Sequence, residues 1–248
     1  MTAGDRSQRE DPPRDSGTAP DGLGRLYGRR QGRPLRAGRR RLLDERLPDI
    51  AIALDREAPP GSLDPRALFA FRPVEVWLEI GFGGGEHLAA QARAHPSVGL
   101  IGVEPFINGM ASLLKEMDRG GDANIRVLMD DARPLLAALA PASIGRAFVL
   151  FPDPWPKRRH WKRRIVSRAV LDELARIMVP GAELRLATDD PGYGQWMLLA
   201  LLAHPAFQWT AGGPADWRNR PVDQPQTRYE AKALGAGPPL FLIARRRA

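Results

Sequence analysis

Glu75-Val76-Trp77-Leu78-Glu79-Ile80-Gly81-Phe82-Gly83-Gly84-Gly85-Glu86 is the stretch that decides the fold. Its first half is mostly apolar and reads as a strand; the glycines then break it. Glu86 to Ala94 reads as a helix. Strand, glycine turn and helix in that order open an α/β unit. The alternation continues with a strand over Val98 to Val103. Next comes a helix near Asn108 to Arg119, with Met110, Leu113, Leu114 and Met117 on one face. Ile125 to Met129 is a strand, Pro134 to Ala140 a short helix, and Ala147 to Phe151 another strand. Val170, Leu171, Leu174, Ile177 and Met178 mark a helix expected to stop at Pro180-Gly181. Glu183 to Ala187 is a strand. Asp190 can cap and Pro191 can open a helix running to about Ala203. Phe207 to Thr210 and Leu240 to Ala244 can supply a closing antiparallel pair. The expected fold is α/β: a doubly wound, mostly parallel sheet with an antiparallel closing strand.

The chain has 248 residues and 43% hydrophobic content, enough for one sizeable domain with extensions. Residues 1 to about 24 are polar and rich in Pro, Gly and Asp, and read as a disordered tail. From Arg25 to Arg46 there are nine arginines against Asp44 and Glu45. Residues 1–46 are therefore expected to form a disordered, arginine-rich arm. Residues 47–248 are expected to form a single domain, entered through a connecting layer over 47–73. A net charge of +8 points to a polyanionic partner, nucleic acid before membrane. The absence of cysteine excludes disulfides, thiolate zinc sites and cysteine nucleophiles. His87, His95, His160 and His204 lack metal-ligand spacing, so no metal is expected. The amino terminus lacks the apolar core of a signal peptide. The longest apolar run, Trp196 to Ala203, is too short to span a bilayer. A cytoplasmic protein without a membrane partner is expected, as a monomer or homodimer.

The glycine turn asks which ligand it holds. A dinucleotide fingerprint needs a small residue where Glu86 stands. Glu79 and Glu86 also crowd the turn with negative charge, which a pyrophosphate would avoid. A cationic ligand would welcome it. S-adenosylmethionine carries a sulfonium and an ammonium and suits Gly81 and Gly83. The acid-x-Gly-x-Gly-x-Gly pattern looks like the first motif of Rossmann-like methyltransferases. Glu104 ends the second strand 23 residues beyond Gly81 and can take ribose hydroxyls. Asp130-Asp131 ends the third strand, where a carboxylate can accept from the adenine amino group.

Beyond the fourth strand lies Pro152-Asp153-Pro154-Trp155-Pro156-Lys157-Arg158-Arg159-His160-Trp161-Lys162-Arg163-Arg164. Alternate prolines stop regular structure and set one acid, Asp153, at the sheet's carboxyl edge. Seven cations lie between Lys157 and Arg168, interleaved with Trp155 and Trp161. Cations among indoles suit phosphates and bases together. A charge run alone would read as a solvated loop.

With these motifs the sequence resembles the bacterial tRNA (guanine-N7-)-methyltransferase family, from about Arg29 to the end. The most specific part is Pro152 to Lys157 with Arg159-His160 and Lys162-Arg163-Arg164. Thr188-Asp189 is similar to the family's Thr-Asp after the fifth strand. Thr227-Arg228-Tyr229-Glu230 is similar to its Thr-Lys-Phe-Glu, keeping charge and ring. Pro105-Phe106 departs from many members. The resemblance implies a Rossmann-like class I fold and methyl transfer from S-adenosylmethionine to N7 of a variable-loop guanine in tRNA. It implies Glu79, Glu104 and Asp131 as cofactor contacts and Asp153 as the active-site acid, facing both cofactor and base. Lys157, Asp189, Thr227, Arg228, Tyr229 and Glu230 would contact the substrate.

Guanine N7 has a free lone pair, so no proton must leave first. Asp153, Asp189 and Glu230 are candidates for the guanine edge, and Lys157 with the arginines for phosphates. Two other readings stay open. An adenine amino-group methyltransferase has a related Asn/Asp-Pro-Pro-Tyr loop. A non-catalytic RNA-binding module could also keep this fold, although intact acids at three strand ends argue against it. A dehydrogenase is disfavoured by Glu86.

Overall fold

Strand β1 (Val76–Ile80) is buried on both faces. Val76, Leu78 and Ile80 join one apolar cluster and Trp77 the other. A strand buried this way needs a cover on each side, as parallel sheets have. The computed structural model describes residues 27–118, 120, 123–232 and 235–248. The tail expected over residues 1 to 24 lies outside the described residues.

The remaining strands are β2 (Gly99–Val103), β3 (Ile125–Leu128), β4 (Ile144–Leu150), β5 (Met178–Thr188), β6 (Phe207–Trp209) and β7 (Leu240–Arg246). They form one sheet in the order β3-β2-β1-β4-β5-β7-β6. Neighbours from β3 to β5 pair in parallel, and β7 runs antiparallel between β5 and β6. The order reverses between β1 and β4. That is the switch point at whose carboxyl edge α/β sheets bind ligands. The glycine turn leaves β1 there, and the Asp153 loop leaves β4 beside it.

The helices are α1 (Ala37–Ile50), α2 (Glu86–Ala94), α3 (Ile107–Met117), α4 (Ala132–Ala138), α5 (Arg168–Ile177), α6 (Pro191–Leu202), α7 (Ala215–Arg218) and α8 (Arg228–Ala231). Leu43, Leu88, Met110, Leu113 and Leu114 cover the Trp77 face from α1, α2 and α3. Leu135, Val170, Leu174, Met197 and Leu201 cover the other from α4, α5 and α6. Asp190 caps α6 by accepting from Tyr193 N at 2.7 Å, with Pro191 in the first turn. Both parts were legible in advance.

Several expectations are corrected. The arm was expected to be disordered through residue 46, but α1 crosses that boundary. Leu43 is buried, and Leu42, Leu47 and Ile50 pack beside it against the α3 side of the core. This apolar stripe, hidden among arginines, orders the segment. The short helix starts at Ala132 rather than Pro134, because Asp131 caps it from Arg133 N at 3.1 Å. Pro180-Gly181 does not end a helix. α5 ends at Ile177, and Gly181, with φ of 81°, lies in an irregular part of β5 before regular pairing resumes at Glu183.

Helix α3 packs hard against the glycine turn. A side-chain carbon at Gly109 would collide with the carbonyl oxygen of Gly83. Because backbone stands on both sides, neither can yield cheaply. Gly109→Ala should cost about 1–3 kcal/mol of stability, the usual penalty for overpacking. Denaturant unfolding checks this, and an unchanged midpoint would show that the turn can move aside.

Candidate active site

Gly81 and Gly83 take left-handed φ values of 76° and 54°. A side-chain carbon at either would meet nothing within 4 Å, so the outer side of the turn is open space. Two carboxylates frame it. Glu104 accepts from Gly83 N at 2.8 Å and Phe106 N at 2.9 Å, which ties the β1 turn to the β2 turn. It is 8% exposed, and burial pushes its carboxyl above the usual range despite those two donors. Glu79 is buried, with its Oε2 2.8 Å from His87 Nδ1. Gln91 Nε2 lies 3.4 Å from His87 Nε2 and donates to Asp223 O at 2.7 Å. The tautomer with the proton on Nδ1 satisfies this whole chain. Glu79 Oε1 accepts no hydrogen bond among the described residues.

The third strand-end pair is divided. Asp131 caps α4 and holds Arg133 Nη1 at 3.0 Å with each oxygen. Asp130 takes Arg30 and Arg56 instead.

Asp153 stands between two residues with left-handed backbone, Phe151 at φ 51° and Trp155 at φ 45°. Such conformations cost non-glycine residues of order 1–3 kcal/mol and concentrate at functional sites. Its carboxylate makes no hydrogen bond or ion pair among the described residues. The residue is exposed, yet neighbouring loops shield the carboxyl enough to push its pKa up. One neighbour is the segment over 27–33. A side-chain carbon at Gly28 would lie 3.7 Å from Asp153 Oδ2. The Arg163 guanidinium sits 4.9 Å over the Tyr27 ring and 4.8 Å over Trp155. Asn108 on α3 fastens the segment's other end, accepting from Gly32 N and donating to Arg33 O at 2.8 Å each.

The carboxyl-terminal motif arrives opposite. Tyr229 donates from its hydroxyl to Asp189 at 3.3 Å, and its ring lies 5.6 Å from that of Phe151. Burial and the Asp189 carboxylate push its pKa up to about 12. Arg228 pairs with Glu86 at the start of α2. Thr227 and Glu230 turn inward. They form a reciprocal capping box at α8, and Glu230 Oε1 also takes Arg220 at 3.0 and 3.1 Å. The structure thus gathers Asp153, Asp189 and Tyr229 at one edge beside the glycine turn. Glu230 has its carboxylate filled by protein donors, and Lys157 is exposed.

The basic run is not one surface. Lys157, Arg158, Arg159 and Lys162 are exposed. Arg168 pairs with Asp172 at 2.9 Å. Arg164, grouped above with the phosphate-holding arginines, is 4% exposed and lies inside the protein. Its guanidinium stacks on Trp161, Tyr193 and Trp196 at 4.8 to 5.0 Å. The ring partners on α6 come about thirty positions later, where local sequence gives no cue. No cluster of metal-binding side chains occurs among the described residues. Among them, no helix is long and apolar enough to cross a membrane.

The sheet order and the acids at successive strand ends define a Rossmann-like methyltransferase. Residues 74–243 match the family model described as "Putative methyltransferase". The tRNA (guanine-N(7)-)-methyltransferase of Rhodospirillum rubrum is 57% identical over 225 residues, covering 90% of this chain and 88% of that one. The enzyme of the same name from Brucella anthropi is 47% identical, covering 87% and 91%. That from Paramagnetospirillum magneticum is 47% identical, covering 94% and 98%. Among solved structures, the 16S rRNA methyltransferase KamB covers 71% of this chain and 89% of its own, at 18% identity and a TM-score of 0.49. The chain belongs to the tRNA (guanine-N(7)-)-methyltransferase family.

The buried Glu104 carboxyl makes stability depend on pH. Its folded-state pKa is raised above the unfolded value. Its favourable contribution is therefore complete below about pH 4 and fades as pH rises through the folded value. In ligand-free protein, Glu104→Gln should remove that fade. Urea melts from about pH 4 to about pH 8 should show wild type losing stability relative to the variant. Parallel profiles would contradict it.

Proposed function

We propose that this chain transfers a methyl group from S-adenosylmethionine to N7 of a variable-loop guanine in tRNA. The carrying observation is Asp153: an unpartnered carboxylate, flanked by the left-handed Phe151 and Trp155, beside the glycine turn and opposite Asp189 and Tyr229. Family membership supports the reaction, and the donor set fits the cofactor. Gly81 and Gly83 leave room above the turn, and Glu79 Oε1 is free to face a cationic group. Glu104 and Asp131 would hold the ribose and adenine ends. On this reading α1 and residues 47–248 work as one unit.

Bound S-adenosylmethionine would supply a methyl group on a positively charged sulfur, which the N7 lone pair can accept without a base. The protein's work is then positioning and charge. Holding the reactants in line can supply on the order of 7–11 kcal/mol in favourable cases. The purine becomes cationic as it is methylated, and the Asp153 carboxylate stabilises that charge as it forms. Asp189 is held by Tyr229 for the base's donor edge. The exposed Lys157, Arg158, Arg159 and Lys162 supply phosphate contacts. Glu230 acts indirectly, by fixing α8 so that Tyr229 meets Asp189. Incubating unmodified tRNA with methyl-labelled cofactor, followed by nucleoside analysis, tests the assignment. Label on an adenine amino group, or none on guanine, would overturn it.

Asp153→Asn keeps the shape and removes the charge. Single-turnover methyl transfer should fall by about a hundredfold or more, with cofactor affinity kept. In wild type the rate should also fall as acid protonates Asp153, at a pH above the ordinary carboxylate range. Near-normal turnover in the variant would remove Asp153 from the chemistry.

Arg29, Arg33, Arg36 and Arg40 are exposed and carry no ion pair among the described residues. Replacing these four with glutamine should weaken tRNA binding. The salt slope should drop by roughly 0.7–0.9 for each phosphate that the arginines no longer neutralise. Cofactor affinity should not move. Wild-type tRNA affinity across several salt concentrations would show that this surface is a bystander.

A further inference from the structure

Arg164 is a cation of the basic loop to which the proposed function gives no work. Lys157, Arg158, Arg159 and Lys162 of the same run face solvent, yet the Arg164 guanidinium is enclosed by three rings. Trp196, on α6, is held in turn by donating from its indole nitrogen to Val166 O at 2.7 Å. Tyr193 accepts from Val166 N at 3.2 Å through its hydroxyl and is fully buried. Two walls of the cage are therefore pinned to the segment that follows the loop. Trp161 forms the third wall and is 37% exposed.

From this cage Arg164 Nε donates to the carbonyl of Pro154 at 2.9 Å. Pro154 directly follows Asp153. The contact falls between the two left-handed residues of the loop, Phe151 and Trp155. Phe151 is held by ring contacts with Tyr229 and Phe241, at 5.6 and 6.3 Å. Trp155 is stacked on Arg163 and lies 5.8 Å from His160. Asp153 itself has no hydrogen bond or ion pair among the described residues to fix it. Its position is set by the backbone alone, and that backbone is strained on both sides. A buried, planar, stacked donor is well suited to hold this carbonyl, because little side-chain entropy remains to be lost.

We propose that Arg164 is a positioning residue: caged by Trp161, Tyr193 and Trp196, it grips the Pro154 carbonyl and thereby sets where the Asp153 carboxylate points. Arg164 then touches neither RNA nor cofactor, despite its place in a basic run. The inference rests on the catalytic reading of Asp153. A residue of this kind affects turnover through geometry. It should leave the affinities for cofactor and tRNA alone.

The experiment is a double-mutant cycle on the full chain. Arg164→Met and Arg164→Lys are each made with Asp153 present and with Asp153→Asn. In the Asp153 background both should slow single-turnover methyl transfer by roughly 10- to 100-fold, the scale set by a small displacement of a catalytic group. Cofactor Kd and tRNA KM should stay within about twofold. In the Asp153→Asn background the same changes should have no further effect, because there is no carboxylate left to aim. Wild-type turnover in Arg164→Met would overturn the proposal. So would an equal slowing in both backgrounds, which marks general damage, or a raised tRNA KM with kcat unchanged, which marks a phosphate contact. If Asp153→Asn alone keeps full activity, the catalytic reading fails first, and the cycle shows that separately. Should Arg164→Met not fold, Trp161→Ala opens the exposed wall of the cage and should show the same non-additive slowing.

Discussion

A sheet buried on both faces has one place to put charges that no neighbour pairs. Apolar side chains must occupy both surfaces of β1, β2 and β4, so carboxylates collect where those strands end. Parallel pairing makes the ends coincide. Glu104, Asp131 and Asp153 therefore share one edge of the sheet through topology, although long stretches of chain separate them. Glu79 and Glu183 sit inside the sheet, and each is tolerated because it is paired, Glu79 with His87 at 2.8 Å and Glu183 with Arg185 at 2.7 Å. An isolated carboxylate at that depth would be far too costly.

The carboxyl-terminal segment obeys a second constraint. It contributes Tyr229 to the site but has little regular structure of its own, with α8 covering only Arg228–Ala231. Polar contacts to the scaffold hold it instead. Asp223 takes Arg185 and Arg146 at 2.9 and 3.1 Å, and Glu230 takes Arg220. Arg185 is almost wholly buried. The net worth of such a pair is small, but removing one partner leaves a buried charge and costs roughly 3–5 kcal/mol. These residues choose one path for the segment more than they stabilise the fold.

Much of this was legible in the sequence. The strands followed from apolar runs between glycine and proline, and the α6 start followed from Asp190-Pro191. That carboxylates stand just past the ends of β2, β3 and β4 followed as well. What stayed hidden depended on partners distant in the chain. Leu43, Leu47 and Ile50 carry a helical stripe, but the surrounding arginines masked it. Arg164 reads as one more cation until Tyr193 and Trp196 close around it. The intramolecular partners of Glu230 have a cue of a different kind. Thr227-x-x-Glu230 is itself a capping signature, and the structure closes it as a reciprocal box.

Helix α2 has a place in the molecule that neither of its ends explains alone. His87 braces Glu79 under the glycine turn, and one helical turn later Gln91 holds the backbone of Asp223, at the root of the segment that carries Tyr229. Arg228 returns to Glu86 on the same helix. One short rod thus bears both on the turn proposed for the cofactor and on the segment proposed to meet tRNA. Linkage then imposes symmetry on the two affinities: whatever factor occupancy of the turn applies to tRNA, tRNA must apply to the occupant of the turn. The order in which the two arrive can alter the kinetics, but it cannot alter that factor.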